Sequence, residues 1–303
     1  MIGRTTMSDE ITKEPVGLIG LGLVGSEIAK RLLQDHHCVV GYDIDSSRCN
    51  ELKKIGVKIQ HSPAEIANMA NRIVLSLPDS TVVRHVIFGE DGILSQATPH
   101  TLIIDTTTGD PDSVEAMAKQ MQSRSCAYVD ACIAGSSRHV AEGRAVVIAG
   151  GSHADLARCS DILNSFAKPI FHMGPCGKGS QAKLVVNLVL GLHRLVLSEG
   201  LLLAEALQLD LPNVMELLKS GVSYSRVMDT KGEKMLKRDF QPEARMAQHL
   251  KDVNLILQLG QKVGVRLTVS ELHQQLLQTG VESGMGELDN SAIFEVLRNC
   301  SMD

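Results

Sequence analysis

A lysine and an asparagine, Lys183 and Asn187, stand four residues apart in a stretch whose pattern predicts a helix. Residues four apart lie on one helix face, so both side chains would project to the same side. A lysine amine can act as a general acid or base where burial and its neighbours lower its pKa. An asparagine amide can hold a hydroxyl or carbonyl oxygen. Taken alone, such a pair is also typical of a solvated helix face, so its chemistry depends on the rest of the chain.

A glycine-rich turn near the start of the chain indicates that the protein binds a dinucleotide. The apolar run from Val16 passes into the sequence GLGLVG and then into a helix-like stretch. In such a unit, one glycine permits the tight turn, one lets the backbone approach a pyrophosphate, and one lets the helix pack on the strand. N–H groups at the helix start then bind the anion. The predicted dinucleotide-binding residues of this turn are Gly20, Leu21, Gly22, Leu23, Val24 and Gly25.

Asp43 indicates which dinucleotide is bound. It ends a second strand-like run, about twenty residues beyond the glycines, where a carboxylate can accept hydrogen bonds from ribose hydroxyls. A carboxylate there repels a 2′-phosphate. The sequence therefore predicts NAD in preference to NADP, and NADP stays open because Arg48 follows closely.

The composition excludes several other function classes. A net charge of −5 gives no electrostatic footprint for nucleic acid or an anionic membrane. Seven cysteines without a CxxC pair predict neither a disulfide framework nor a zinc site, and favour a reducing, cytoplasmic compartment. The first residues lack the apolar core of a targeting signal, and residues 1–13 are predicted to form a disordered tail.

The order of the predicted elements indicates two domains. Strand-like and helix-like runs alternate from residue 16 to about residue 173, which predicts an α/β Rossmann domain with a mainly parallel, doubly wound sheet. The predicted strands are 16–20, 38–42, 73–77, 102–104, 127–130, 145–149 and 170–172. Ligands bind at the carboxyl ends of such strands. Leu77, Pro78, Thr107 and Thr108 are therefore predicted to contact the coenzyme.

After residue 174 the pattern predicts helices alone. A long connector helix over 180–207 carries the lysine and asparagine, and its apolar centre, broken by polar residues, predicts a buried helix rather than a membrane span. Further helices are predicted over 212–220, 224–235, 243–263 and 268–279, and from residue 291. The predicted domains are a Rossmann domain over 14–174 and an all-helical substrate and dimerisation domain over 175–303.

Five motifs in order resemble those of the β-hydroxyacid dehydrogenase family, the relatives of 3-hydroxyisobutyrate dehydrogenase and tartronate semialdehyde reductase. The resemblance covers nearly the whole chain. The matching residues are the run 20–32, the run 130–136 with Gly143 and Gly150-Gly151, the pattern GxGxxxKxxxN from Gly177 to Asn187, the pair Lys251-Asp252, and Gly284, Gly286 and Asp289.

This resemblance implies an oxidoreductase that transfers a hydride between NAD(P) and the CH–OH or aldehyde of a β-hydroxy acid. Lys183 would move the hydroxyl proton and Asn187 would orient the oxygen. Backbone N–H groups around Ala134, Gly135 and Ser136 would hold the substrate carboxylate, and Lys251 would close the site beside coenzyme and substrate. The resemblance also implies a homodimer or larger homo-oligomer, and no metal is expected.

Two departures from the family pattern bear on the substrate. Ala134 stands where relatives carry a serine, and Ala244 stands where many carry a phenylalanine. A bulkier or non-carboxylate substrate on the same fold therefore stays open, as do the substrate's identity and the direction of the reaction. A catalytically idle, NAD-binding scaffold or sensor is the alternative from another class. Its mark would be loss of the lysine that this chain retains.

Overall fold

The computed structural model describes residues 14–300, so the predicted tail over 1–13 lies outside the described residues. Its first part is an eight-stranded sheet in the order β3-β2-β1-β4-β5-β6-β7-β8, parallel except for the pair β6 and β7. The strands are β1 Val16–Ile19, β2 Val39–Tyr42, β3 Lys58–Ile59, β4 Arg72–Leu75, β5 Leu102–Asp105, β6 Ala127–Ala134, β7 Ala145–Gly150 and β8 Ala167–His172. The predicted mainly parallel Rossmann sheet is confirmed.

Seven helices accompany the sheet. They are α1 Leu23–Gln34, α2 Ser46–Lys53, α3 Pro63–Met69, α4 Ser80–Phe88, α5 Pro111–Gln122, α6 Ser137–Ala141 and α7 His153–Phe166. Side-chain oxygens of Asp79, Asp110 and Ser152 accept backbone N–H groups at the starts of α4, α5 and α7, which explains where those helices begin. Successive side chains of each strand point to opposite faces of the sheet. They pack against the helices in two buried apolar clusters, which hold the strand ends in place.

The second part is helical. It contains α8 Lys178–Ala206, α9 Leu211–Ser220, α10 Arg226–Lys237, α11 Met246–Lys262, α12 Thr268–Gly280 and α13 Ile293–Cys300. The helix predicted over 243–263 begins three residues late because the Asp289 carboxylate accepts the N–H groups of Glu243 and Ala244 and draws them out of helical pairing. A bridge between Arg245 and Asp289 holds the same segment extended.

The chain divides into compact units after Ser180, a few residues beyond the predicted boundary at 174. The physical reason is the carboxylate of Asp130, which binds the backbone of Gly177 and Ser180 and so keeps the first turn of α8 with the sheet.

α8 is long and apolar enough to cross a membrane by length and composition alone, although 44% of its most apolar window is already buried within the protein. Its buried residues include Lys183, Asn187 and Arg194. His193, the neighbour of Arg194, is exposed. The buried face of α8 therefore carries polar and charged side chains as well as apolar ones.

Candidate active site

The glycine-rich turn joins β1 to α1 in the first unit. Gly20 has a φ of +92°, and a Cβ on it would lie 2.2 Å from the carbonyl oxygen of Ser76. A Cβ on Gly25 would lie 1.9 Å from the carbonyl oxygen of Gly20. Among the described residues, no side chain caps the start of α1 at Gly22. Its first N–H groups can therefore meet an anion, and the turn fits a dinucleotide pyrophosphate.

Asp43 binds the glycine turn directly. Its Oδ2 accepts the N–H of Leu21 at 2.6 Å, and its Oδ1 accepts the N–H of Asp45 at 2.8 Å. Each carboxylate oxygen has two acceptor positions, so the group can still accept ribose hydroxyls. Arg48 pairs with Asp45, and its Nη1 would lie 3.0 Å from a Cβ on Gly22. The cationic side chain of Arg48 therefore lies at the turn, and binding of NADP stays open as the sequence analysis stated.

The ends of β4 and β5 lie beside each other. The N–H of Leu77 donates to Oγ1 of Thr107 at 3.2 Å. Pro78 is exposed and Thr108 half-buried. A Cβ on Gly20 would lie 3.1 Å from the Leu77 side chain, so Leu77, together with the Thr107 that it binds, lies beside the glycine turn. Coenzyme contacts of Pro78 and Thr108 stay predictions.

A buried carboxyl group supports the segment after β5. Asp105 is 1% exposed, and burial raises its pKa to about 6. Its Oδ1 accepts the N–H of Thr107 at 2.9 Å, and its Oδ2 accepts the hydroxyl of Tyr128 at 2.5 Å. Neither Asp105 nor Tyr128 is among the site residues predicted from the sequence.

A second buried carboxyl, Asp130, anchors α8. It accepts the N–H groups of Gly177 at 2.9 Å and Ser180 at 2.7 Å, and the Ser180 hydroxyl at 3.0 Å. Burial raises the pKa of Asp130, and these hydrogen bonds oppose the shift. Although Asp130 opens the predicted substrate motif, its observed contacts are those of a structural anchor.

The predicted carboxylate cradle follows Asp130 along β6. Ala134 ends the strand and is half-buried, and Gly135 has a φ of +148°. The N–H of Ser136 points to Nδ1 of His139 at 3.2 Å, and the Ser136 hydroxyl lies 3.0 Å from the same nitrogen. Ser136 is therefore bonded within the first turn of α6, and binding of a substrate carboxylate by this segment stays a prediction.

Lys183 and Asn187 lie together in the second unit, each 6% exposed. Nδ2 of Asn187 donates to Oδ2 of Asp252 on α11 at 2.8 Å. Lys251 pairs with the other oxygen of Asp252 at 3.2 Å. A carboxylate can only accept hydrogen bonds, so Asp252 binds the NH2 group of the Asn187 amide. The amide oxygen of Asn187 therefore points away from Asp252. The structure thus brings together the predicted Lys183, Asn187 and Lys251, and adds Asp252 as their common partner.

Burial raises the pKa of Asp252, whereas the charges of Lys251 and Lys183 oppose the shift. Both lysines therefore act on this carboxyl, and Asp252 links the two predicted lysine positions electrostatically. The sequence contained Asp252 within the Lys251-Asp252 pair, but only the packing of α8 on α11 shows which side chain it holds.

One arginine and two histidines form a buried cluster: Arg194 on α8, His249 on α11 and His273 on α12. Arg194 is 3% exposed, and its Nη2 has no hydrogen-bond partner among the described residues. His249 and His273 pack against each other with ring centroids 5.2 Å apart, and a Cβ on Gly191 would lie 2.5 Å from Nε2 of His249. Burial, reinforced by the charge of Arg194, lowers the pKa of His273 to about 4 and holds the pKa of His249 well below its usual value. Both histidines are therefore neutral at physiological pH.

Asp289, from the last predicted motif, is a structural hub. It is fully buried, and it pairs with Nζ of Lys231 at 2.8 Å. The charge of Lys231 lowers the pKa of Asp289 against the effect of burial. Together with its bonds to the backbone before α11, this pair fixes the start of the helix that carries Asp252.

A cavity of about 830 Å³ in the first unit lies elsewhere. Its wall includes Glu115 and Lys119 of α5, His153 of α7, and Cys176 before α8. None of the predicted site residues lines it, so the cavity is separate from the glycine turn.

Among residues 14–300, no group of three or more His, Cys, Asp or Glu side chains is placed to hold a metal ion.

Two family models match the chain. The NAD-binding domain of 6-phosphogluconate dehydrogenase matches residues 15–174. The NAD-binding domain of NADP-dependent 3-hydroxyisobutyrate dehydrogenase matches residues 177–297. Together these matches cover both predicted domains.

The chain is also similar to characterised proteins over most of its length. It is 29% identical to 2-(hydroxymethyl)glutarate dehydrogenase of Eubacterium barkeri, over 93% of this chain and 94% of that protein. It is 26% identical to glyoxylate/succinic semialdehyde reductase 1 of Arabidopsis thaliana, over 93% and 98%. The fold matches 3-hydroxyisobutyrate dehydrogenase from Salmonella typhimurium with a TM-score of 0.86, at 22% identity over 93% of this chain and 99% of that chain.

The chain therefore belongs to the β-hydroxyacid dehydrogenase family of NAD(P)-dependent oxidoreductases.

Proposed function

We propose that this protein interconverts a β-hydroxy acid and the corresponding aldehyde acid, with Lys183 as general acid and base. The observation that carries the proposal is the buried set on α8 and α11, in which Asp252 orients Asn187 beside Lys183. A buried lysine next to an oriented amide suits proton transfer at a substrate oxygen. An idle scaffold has no need for such an arrangement.

The proposed chemistry divides between coenzyme and protein. When bound, the nicotinamide supplies the hydride acceptor or donor. In oxidation, Nζ of Lys183 would take the hydroxyl proton while the carbinol carbon gives up its hydrogen, with the C–H electron pair, to the nicotinamide, and the C=O bond would form. Asn187 holds the oxygen. In reduction, protonated Lys183 returns the proton to that oxygen.

NAD is proposed as the preferred coenzyme, because Asp43 presents a carboxylate beside the glycine turn. Arg48 lies at the same turn and supplies a counter-charge, so binding of NADP is expected to be weaker rather than abolished. The residues proposed to bind the coenzyme are the glycine turn 20–25, Asp43, Leu77, Pro78, Thr107, Thr108 and Lys251.

A second copy of the chain is proposed as the protein's partner. Val185, Val189, Val196 and Leu203 lie on one stripe of α8, and each is between 45% and 64% exposed. A continuous apolar stripe of this length favours association. Two copies can cover it symmetrically, since the same surface meets itself in a twofold dimer.

The test of the function is incubation of the protein with NAD and a panel of hydroxy acids, and with NADH and the matching aldehyde acids, while NADH absorbance is followed. Turnover of at least one acid that depends on Lys183 is expected. Coenzyme binding without turnover across the panel would favour the idle scaffold.

A further inference from the structure

Tyr128 and Asp105 form a buried pair on neighbouring strands of the sheet. Tyr128 is 5% exposed on β6, and Asp105 is 1% exposed at the end of β5. The register pairs Ile103 with Tyr128 and Asp105 with Asp130, so the tyrosine hydroxyl reaches along the strand to the carboxyl. The 2.5 Å hydrogen bond between them lies inside the apolar core.

The contacts continue from this pair to the segment after β5. The second oxygen of Asp105 accepts the N–H of Thr107, and Oγ1 of Thr107 accepts the N–H of Leu77 after β4. The thiol of Cys132 donates to the carbonyl oxygen of Thr107. A buried acid and its tyrosine therefore determine where the backbone at Thr107 lies.

We propose that Tyr128 acts through Asp105 as a positioning residue for coenzyme binding, by holding that carboxyl in the ionised form that fixes the Thr107 segment. The inference rests on the proposed coenzyme site after β5. Hydrogen bonds to an ionised acceptor are about twice as strong as those between neutral groups. Loss of the charge on Asp105 therefore loosens the Thr107 N–H contact.

The charges around Asp105 set the direction of the effect. Burial raises its pKa to about 6, whereas the bonds from Thr107 and Tyr128 oppose that shift and the nearby Asp130 adds to it. Burial next to Asp130 also raises the pKa of Cys176, which faces the same carboxyls, so this thiol stays neutral. Removing the tyrosine hydroxyl therefore moves protonation of Asp105 to higher pH.

NADH binding to the purified full-length protein, followed by coenzyme fluorescence between pH 5 and 8.5, tests this proposal. The chain contains no tryptophan, so protein fluorescence interferes little. In the wild type, affinity is expected to fall as the pH drops through about 6. In Tyr128→Phe, the same fall is expected about one pH unit higher, with about twofold weaker binding at pH 7 and a larger difference at pH 6.

Matched variants separate positioning from general damage. Tyr224→Phe removes the hydroxyl of an exposed tyrosine that also bonds an aspartate, Asp229, and should follow the wild type. Asp105→Asn keeps an acceptor for Thr107 but cannot titrate, so its binding should not vary with pH through this range. Adding Tyr128→Phe to Asp105→Asn should then shift nothing further. If Tyr128→Phe fails to fold, Asp105→Asn still tests the step through Asp105, because a pH profile of this variant that coincides with that of the wild type would overturn the inference.

The outcomes are distinct. A wild type that binds neither NADH nor NADPH overturns the proposed function. Two other outcomes overturn the present inference alone. One is a wild type whose NADH binding does not depend on pH near 6. The other is a Tyr128→Phe profile that coincides with those of the wild type and Tyr224→Phe.

Discussion

Nδ2 of Asn187 donates a hydrogen bond to Oδ2 of Asp252 across 2.8 Å, and both side chains are more than nine-tenths buried. The bond joins the helix that carries the proposed acid and base to the helix that carries the Lys251-Asp252 pair. A carboxylate only accepts hydrogen bonds, so it fixes which end of the amide faces away from α11.

Asp252→Asn should therefore lower kcat by about 10- to 100-fold, because the new amide can also donate and no longer fixes Asn187. Coenzyme affinity should change little. Steady-state kinetics with Asp229→Asn as the control, an exposed aspartate on α10, checks the effect. Equal kcat in the two variants would remove Asp252 from the mechanism.

Lys183→Met should lower kcat by at least about a hundredfold, the usual contribution of a positioned acid or base. Methionine keeps the length of the side chain but cannot move a proton, so NAD affinity should be nearly unchanged. Lys237→Met, at a lysine whose side chain is 69% exposed, is the matched control. Turnover near the wild-type level would disprove the assignment of Lys183.

Continuous apolar runs made most of the strands predictable, because a strand covered on both faces is apolar throughout. β3 escaped prediction because it has two residues, one of them an exposed lysine. The start of α11 was misplaced because Asp289, more than forty residues later, binds the backbone of Glu243 and Ala244. Such a contact leaves no local pattern.

The site was predictable where spacing carries the information, as in the glycine turn and the Lys183–Asn187 pair. Contacts between elements were not. Nothing near Tyr128 in the sequence indicates a bond to Asp105, and nothing near Arg194 indicates that its charged side chain is buried. These relationships depend on strand register and on helix packing, which one sequence does not specify locally.

NAD should be preferred over NADP, and Asp43→Ala should narrow the difference in kcat/KM, because the carboxylate that repels a 2′-phosphate is removed. The variant also loses an acceptor for the Leu21 N–H, so binding of both coenzymes should weaken somewhat. Arg48→Met should widen the difference, since it removes the cation at the turn. A higher wild-type kcat/KM with NADP would contradict the prediction.

Val196→Glu should disrupt the proposed dimer, because it places a charge in the middle of the exposed apolar stripe of α8. Val222→Glu is the control, since Val222 is fully exposed and lies outside α8. Light scattering at micromolar concentration should give a dimer mass for the wild type and the control, and a monomer mass for Val196→Glu. A monomeric wild type would count decisively against the dimer.

The substrate pocket is predicted to suit an acid bulkier than 3-hydroxyisobutyrate or glycerate, because Ala134 lacks a hydroxyl and Ala244 lacks an aromatic ring. The neighbours in position to replace those groups are Ser136, Ser137 and Arg245, and two of them are already engaged. Ser136 bonds His139 within its own turn, and Arg245 pairs with Glu287 at 3.0 Å. The missing contacts are therefore not supplied by these two neighbours.

The double variant Ala134→Ser with Ala244→Phe should raise kcat/KM for those short acids by roughly ten- to a hundredfold. A hydrogen bond to a charged group contributes about 1.5–3 kcal/mol, and about 1.4 kcal/mol corresponds to a factor of ten. Each single variant should give part of the gain, since the hydroxyl restores a polar contact and the ring fills volume. The same assays on a series of longer hydroxy acids should show the wild type ahead of the double variant. A double variant with no gain on short acids would show that the pocket is not limited at these two positions.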